Sequence, residues 1–506
     1  MQTALIPFIL ALQVCFPGLS FCQSPAPAQT SQQPSPNQPA PSLSKADRDR
    51  IQNHGQEFVS AVSSGSPETA LTTAQKIFSE ETLTRLGAPK LSESIVSKYK
   101  SLGELEFHHA ELMELPIGDR ISRVLHVFAR SKASGWLDFQ FRVEPNPPYR
   151  LKELVFIANV AEPVYLPNGD ISDATTLKWL NQYIDTLIEA NDLSGSVLIS
   201  QAGKPLLERA FGFADAKRTQ KITPETGFNL GSGNKMFTAI AIAQLVEQGK
   251  LKYSDPLIEF LPDFPDPAFA RKVTIHHLLS HTSGINEYWT PEFNQQRTQM
   301  KDLKQFLPWI YKVGTGFEPG SQFAYSNSNF ILAGLIIEKA SRMDYFEYIR
   351  QHIYKPLGMT ASDSYLMDGS VPNLASPLKK TPTGWEFAPH GRRGSSAGGG
   401  FSTPRDILKY ARGLASGKLV SPASFKLLTT SKTRALNSST DYGYGFILEQ
   451  HGMLASYGHG GIASGVNFEF RHFPQLDLTV VLFCNQDNGA YDDLRKNIIK
   501  LVSGVR

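Results

Sequence analysis

Cysteine is scarce in this chain: its 506 residues contain three, Cys15, Cys22 and Cys484. Two of them lie in or just after an N-terminal apolar run, Ala4 to Phe21, broken by Gln13 and Pro17 and followed by a Pro/Gln/Ser-rich tract. That layout is expected of a secretory signal over residues 1–22, although no Lys or Arg precedes the apolar run. The expected destination is export, periplasmic or secreted, with no membrane span after cleavage. Lipidation at Cys22 is disfavoured by bulky Phe21 before it. Cleavage would leave Cys484 alone, so no internal disulfide is expected, and within "LTVVLFCN" that residue reads as a small buried hydrophobe. Also missing are basic runs interleaved with aromatics. With a net charge of +3, nothing points to nucleic acid or an anionic membrane surface. No Cys/His cluster has metal-ligand spacing. His108-His109 and His276-His277 are adjacent, and neighbours on a strand or helix point apart, so neither metal nor other cofactor is expected.

What is present is an ordinary globular composition, 41% hydrophobic, over a length that suggests about two domains. Residues 23–45 read as a Pro/Ser/Gln linker. Residues 46–160 read as a small α+β domain: a helix from about Asp47, a helix start at Ser66-Pro67-Glu68, then three β-like runs, "ISRVLHVFAR", "GWLDFQFRV" and "YRLKELVFI". This order resembles NTF2-like or cystatin-like domains, in pattern only. After a connector, residues 170–506 open with a helix and a hairpin around Gly203-Lys204. They continue through a mainly helical middle, about 230 to 420, and close with the strands "GVNFEFRHF" and "DLTVVLFC" and a last helix. The expected class is α/β of the α+β type, with an antiparallel sheet assembled from both ends of the domain and a helical region inserted beside it.

Three segments carry candidate chemistry. In "NLGSGNKMFTAIAIAQLVEQGKL", Ser232 stands one turn before Lys235 at the head of a strongly apolar helix. A buried lysine there needs partners or must lose its proton, and the helix start favours developing negative charge. The plain alternative is a serine cap followed by a solvated lysine. Next, Tyr325-Ser326-Asn327 precedes another apolar helix. Lys235 would supply the positive charge that lowers the phenol's pKa, and the pair would accept the Ser232 proton. The alternative for Tyr325 is a capping aromatic. Third, His459-Gly460-Gly461 opens a strand that a substrate can approach closely. The N–H of Ile462 would pair with that of Ser232 as an oxyanion hole. A glycine-rich turn is the alternative there.

Together these segments resemble the penicillin-recognising serine hydrolases: class C β-lactamases, DD-peptidases, D-aminopeptidases and related esterases. The flanks "VTIHHLLSHTSGI", "PGSQFAYSNSNFILAG" and "AGGGFSTPRDILKY" are similar too, and the likeness spans roughly residues 175 to 505. It implies that Ser232 is the nucleophile, that Lys235 and Tyr325 take up its proton, and that Asn327 binds the substrate amide or orients Lys235. His459, Gly460 and Gly461 would line the opposite wall. One departure matters. His459 stands where those β-lactamases and DD-peptidases have lysine, and a neutral imidazole offers no charge for a substrate carboxylate. The expected function is therefore an exported, esterase-like serine hydrolase of small ester, amide or peptide substrates working through an acyl-enzyme. The alternatives are a D-Ala-D-Ala carboxypeptidase or D-aminopeptidase, a β-lactamase, and, from another class, an inactive exported binding or scaffold protein.

Overall fold

The computed structural model describes residues 43–504 apart from 118–119, 159, 161–165, 167–169, 367–370 and 438–439. The expected signal segment and nearly all of the linker lie outside the described residues. The chain divides into two compact units, one within 43–168 and one over Gly169–Ser503. Among the described residues no helix is long and apolar enough to cross a membrane.

In the first unit the helix starts are local. Ser44, Ser66 and Ser79 each accept a backbone N–H at the heads of Lys45–Ser64, Pro67–Ile77 and Glu80–Leu86, satisfying donors the helix leaves unpaired. After Ala88–Leu102 comes an antiparallel meander of β1 (Leu105–Ile117), β2 (Arg120–Ser131), β3 (Gly135–Val143) and β4 (Leu151–Ala158). Alternation along β3 buries Leu137, Phe139 and Phe141, and Phe58 packs edge-on against the two phenylalanines at 5.3 and 4.9 Å. The pattern reading names three of these strands and passes over β1, whose alternation is interrupted by a bulge between Phe107 and His109. The same bulge overturns the expectation that His108 and His109 diverge: their rings stand 4.8 Å apart.

The second unit holds an eight-stranded antiparallel sheet. Its strands are β5 (Gly195–Gln201), β6 (Lys204–Phe211), β7 (Thr433–Asn437), β8 (Thr440–Tyr442), β9 (Ile447–His451), β10 (Leu454–Ala463), β11 (Val466–Phe473) and β12 (Leu478–Cys484). Their spatial order is β7-β8-β9-β10-β11-β12-β5-β6. Pairing of β12 with β5, from Leu478 opposite Gln201 to Cys484 opposite Gly195, joins the two ends of the domain as expected. Helices cover both faces. Glu469 and Phe470 are neighbours on β11 and so point opposite ways. Arg495 of helix Gly489–Ser503 reaches Glu469 at 3.9 Å, whereas Tyr410 of helix Pro404–Ala415 meets Phe470. The middle is mainly helical, and its helices Asn234–Glu247 and Asn327–Ser341 are apolar on nearly every side and buried. Strands β7–β9 are the ones the pattern reading lacks. They are three to five residues long, too short for a period-2 signal.

Candidate active site

Ser232 lies in the 3₁₀ turn Gly231–Gly233 that runs straight into helix Asn234–Glu247. The helix has no side-chain cap; the Ser232 Oγ instead meets Lys235 Nζ at 3.1 Å. Lys235 is 0% exposed, so the solvated-lysine alternative fails. Its Nζ has two further neighbours, Asn327 Oδ1 at 2.7 Å and the Ala397 carbonyl at 2.6 Å, and both can only accept. Burial pushes the Lys235 pKa down to about 7, with the Glu287 carboxylate pulling the other way. A neutral amine has two N–H donors and one lone pair. The two acceptors use the donors, and the lone pair is left for the Ser232 hydroxyl.

Asn327 is held in the orientation this requires. Glu287 Oε2 accepts from both the Asn327 backbone N–H at 2.6 Å and Nδ2 at 2.9 Å, which turns Oδ1 toward Lys235. Asn327 therefore orients the lysine, one of the two roles expected of it, and its Nδ2 carries a second N–H that this pairing does not use. Burial raises the Glu287 pKa, opposed by the Asn327 N–H and by Lys235. The turn before helix Asn327–Ser341 is steadied by His281, a buried residue in left-handed backbone (φ 57°) whose Nδ1 accepts the Ser326 N–H at 3.2 Å. Its ring lies 4.2 Å from that of Tyr325. Sequence reasoning missed Glu287 and left His281 without a role. Glu287 is a lone acid in a loop, 40 residues from its partner, with no spacing to mark it.

Tyr325 is placed beside the pair, but its charge relation to Lys235 differs from expectation. The ammonium nitrogen sits 4.9 Å from the centre of the Tyr325 ring. Burial raises the phenol's pKa, an interaction with Ser232 lowers it and Glu287 raises it further. Tyr325 is 37% exposed, so water moderates this rise. It does not reverse it. The phenol stays protonated at neutral pH, and the group brought near neutrality is Lys235. The reason is desolvation: Lys235 is itself too buried to hold the full charge that would have pulled the phenol down.

The opposite wall is β10, and His459 lies within this strand rather than opening it. Beyond Gly458 the strand leaves its β9 partner and passes the Ser232 turn. Side chains are excluded at that crossing. A Cβ on Gly461 would fall within 2.1 Å of the Leu230 carbonyl, and one on Gly231 within 3.3 Å of the Ile462 nitrogen. The glycines thus bring the Ile462 backbone beside the Ser232 turn. His459 itself corrects the sequence reading. It is 2% exposed, its Nδ1 meets the Gly460 carbonyl at 2.5 Å and its Nε2 the Tyr442 hydroxyl at 3.0 Å. No donor remains for a substrate. Burial, helped by Lys235, pushes its pKa down to about 3, so the ring is neutral.

A family model described as Beta-lactamase matches residues 180–503. Over 326 residues the chain is 31% identical to PbpX of Bacillus subtilis (strain 168), covering 64% of this chain and 78% of that one. It is 30% identical to Penicillin-binding protein 4* of the same organism, covering 56% of this chain and 66% of the other. Among solved structures, a penicillin binding protein from Bacillus halodurans matches with a TM-score of 0.58 at 32% identity, over 63% of this chain and 98% of that one. The D-amino acid amidase from Ochrobactrum anthropi SV3 matches with a TM-score of 0.56, over 64% of this chain and 98% of its own; at 22% identity that likeness concerns the fold alone.

Proposed function

Because residues 180–503 make this chain a member of the Beta-lactamase family of serine hydrolases, we propose that it cleaves ester or amide carbonyls through an acyl-enzyme on Ser232. The observation that carries this reading is the buried Lys235, its pKa near neutrality and its one uncommitted valence on the Ser232 Oγ. The Ser232 proton passes to the Lys235 amine as Oγ bonds to the carbonyl carbon. The carbonyl electron pair moves onto oxygen, held by the N–H groups of Ser232 and Ile462. Collapse breaks the bond to the leaving group, which takes the proton back from Lys235 directly or through the Tyr325 phenol. Water then repeats the sequence on the acyl-enzyme, releasing the acid and restoring Ser232. Tyr325 acts as a proton relay and not as a standing phenolate.

Since His459 is neutral and enclosed, β10 offers no cation to a carboxylate beside the scissile bond. That favours ester-like substrates over β-lactams and D-Ala termini. A fluorophosphonate probe is expected to label the wild type and not Ser232→Ala; equal labelling of both would overturn the nucleophile, and labelling of neither would favour an inactive binding protein. In a panel of short p-nitrophenyl esters, a chromogenic cephalosporin and D-amino-acid peptides, the esters are expected to turn over fastest. Fast cephalosporin turnover without ester activity would refute the substrate reading.

A further inference from the structure

The cleft beside Ser232 is a cavity of about 500 Å³, within the range that takes a small organic molecule. Ser232, Asn327 and Ile462 belong to its wall, whereas Tyr325 and His459 do not. A cavity walled by Ser232 and Ile462 but not by the Tyr325 relay suits the acyl side of a substrate better than its leaving group. Its wall has two characters. Trp289, Phe387 and Ile462 are large apolar side chains left exposed, and all three converge on this one space. Arg297, Arg392 and Arg393 line it as well, and its described lining residues include no Asp or Glu.

The three arginines are not equivalent. Arg297 donates to the Pro389 carbonyl and to Asn294 Oδ1. Arg393 donates to the Ser364 carbonyl, stacks 3.5 Å over the Phe346 ring, and feels Asp344 and Asp363 nearby. Arg392 is exposed and makes no hydrogen bond or ion pair among the described residues. It also rides on the segment that supports the nucleophile, since Ala397 of that segment holds Lys235 and Gly399 N–H donates to the Gly231 carbonyl. Arg392 and Ala397 lie five positions apart in the chain and both line the cavity, as Ser232 does, so Arg392 borders the same space as the reacting serine.

We propose that the cavity selects acyl groups with an apolar body ending in a carboxylate, and that Arg392 reads the carboxylate; the inference rests on the Ser232 acyl-enzyme reading. The positive charge that a lysine at position 459 would have placed beside the scissile bond is thus supplied at the far end of the acyl chain. A guanidinium without a partner offers a forked pair of donors that fits a carboxylate.

The test compares p-nitrophenyl hexanoate with the p-nitrophenyl hemiester of adipic acid, corrected for uncatalysed hydrolysis. Wild type is expected to favour the hemiester about tenfold in kcat/KM, with the preference shrinking as salt is added. The ratio of the two should fall to about one in Arg392→Gln, invert in Arg392→Glu and persist in part in Arg392→Lys. A wild-type ratio near one, or a ratio unmoved by Arg392→Gln, would overturn the inference. Fluorophosphonate labelling of the same preparations separates the two ways of failing. Labelled protein that hydrolyses both esters without discrimination removes only the role of Arg392. Unlabelled protein that hydrolyses neither removes the acyl-enzyme reading and this inference with it.

Discussion

Lys235 and Arg471 are both buried cations of the hydrolase unit, 0% and 3% exposed, yet their surroundings are opposite. Arg471 on β11 is enclosed by charge: its Nε meets Glu469, its Nη2 meets Glu449 at 3.2 Å, and its Nη1 donates to the Ile447 carbonyl. Burial alone would lower its pKa, but the two carboxylates outweigh burial and raise it. Glu449 answers in kind. Burial would raise its pKa, and Arg471 with His451 instead holds it at about 2. Lys235 touches only neutral acceptors, and the nearest carboxylate, Glu287, stands behind Asn327. The lesson is that a counter-ion decides what a buried charge is for. Paired, it is a permanent part of the framework; unpaired, it titrates near neutrality and can exchange a proton with substrate.

The comparison breaks most visibly at its structural end. Arg471→Met removes the cation that Glu469 and Glu449 share, leaving them Arg495 at 3.9 Å and His451 at 3.4 Å, and is expected to cost about 3 kcal/mol of stability, measured by denaturant unfolding. An unfolding midpoint equal to wild type would mean that this ion pairing adds nothing to stability. At the other end, Lys235→Ala is expected to lower turnover by about 10² or more with little loss of stability, because the removed ammonium was costly to bury. Tyr325→Phe should cost less than Lys235→Ala, since a relay can be replaced by direct transfer. Near wild-type rates in Lys235→Ala would remove the proposed base.

The smallest effect concerns pH. The base works only when deprotonated, so kcat/KM is expected to rise with pH through about 7, the value to which burial brings Lys235. Glu287 raises that pKa, so Glu287→Gln should move the rising limb toward lower pH, by less than about one unit. A limb that stays in place or moves upward would show that the carboxylate does not act on Lys235. His459, neutral down to about 3, is expected to add no limb of its own between pH 5 and 8.

Several of these parts were legible in the residues and several were not. Ser232, Lys235, Tyr325, Asn327 and the His459-Gly460-Gly461 run stand at the heads of apolar helices or in a glycine-rich stretch, where the spacing itself raises a question. The hairpin at Gly203 and the strands β11 and β12 were equally plain. Ala397 was invisible because it contributes a carbonyl that every residue has. Glu287 was invisible because an isolated acid in a loop has no period, and β1 because a bulge erased its alternation. His459 shows the limit of a correct assignment: its place in the pattern could be read, but its burial against Tyr442 could not.

By itself the sequence determined which groups were available for chemistry, that a lysine had to enter an apolar helix, and that the sheet had to draw strands from both ends of the domain. Those follow from local pattern and from the cost of burying charge. Only the tertiary structure decided that Lys235 and not Tyr325 is tuned toward neutrality, that His459 is turned inward, and that three arginines line the cavity beside Ser232. Each of these depends on how much water is excluded and on which partners arrive from 17 to 162 residues away, and a linear pattern encodes neither.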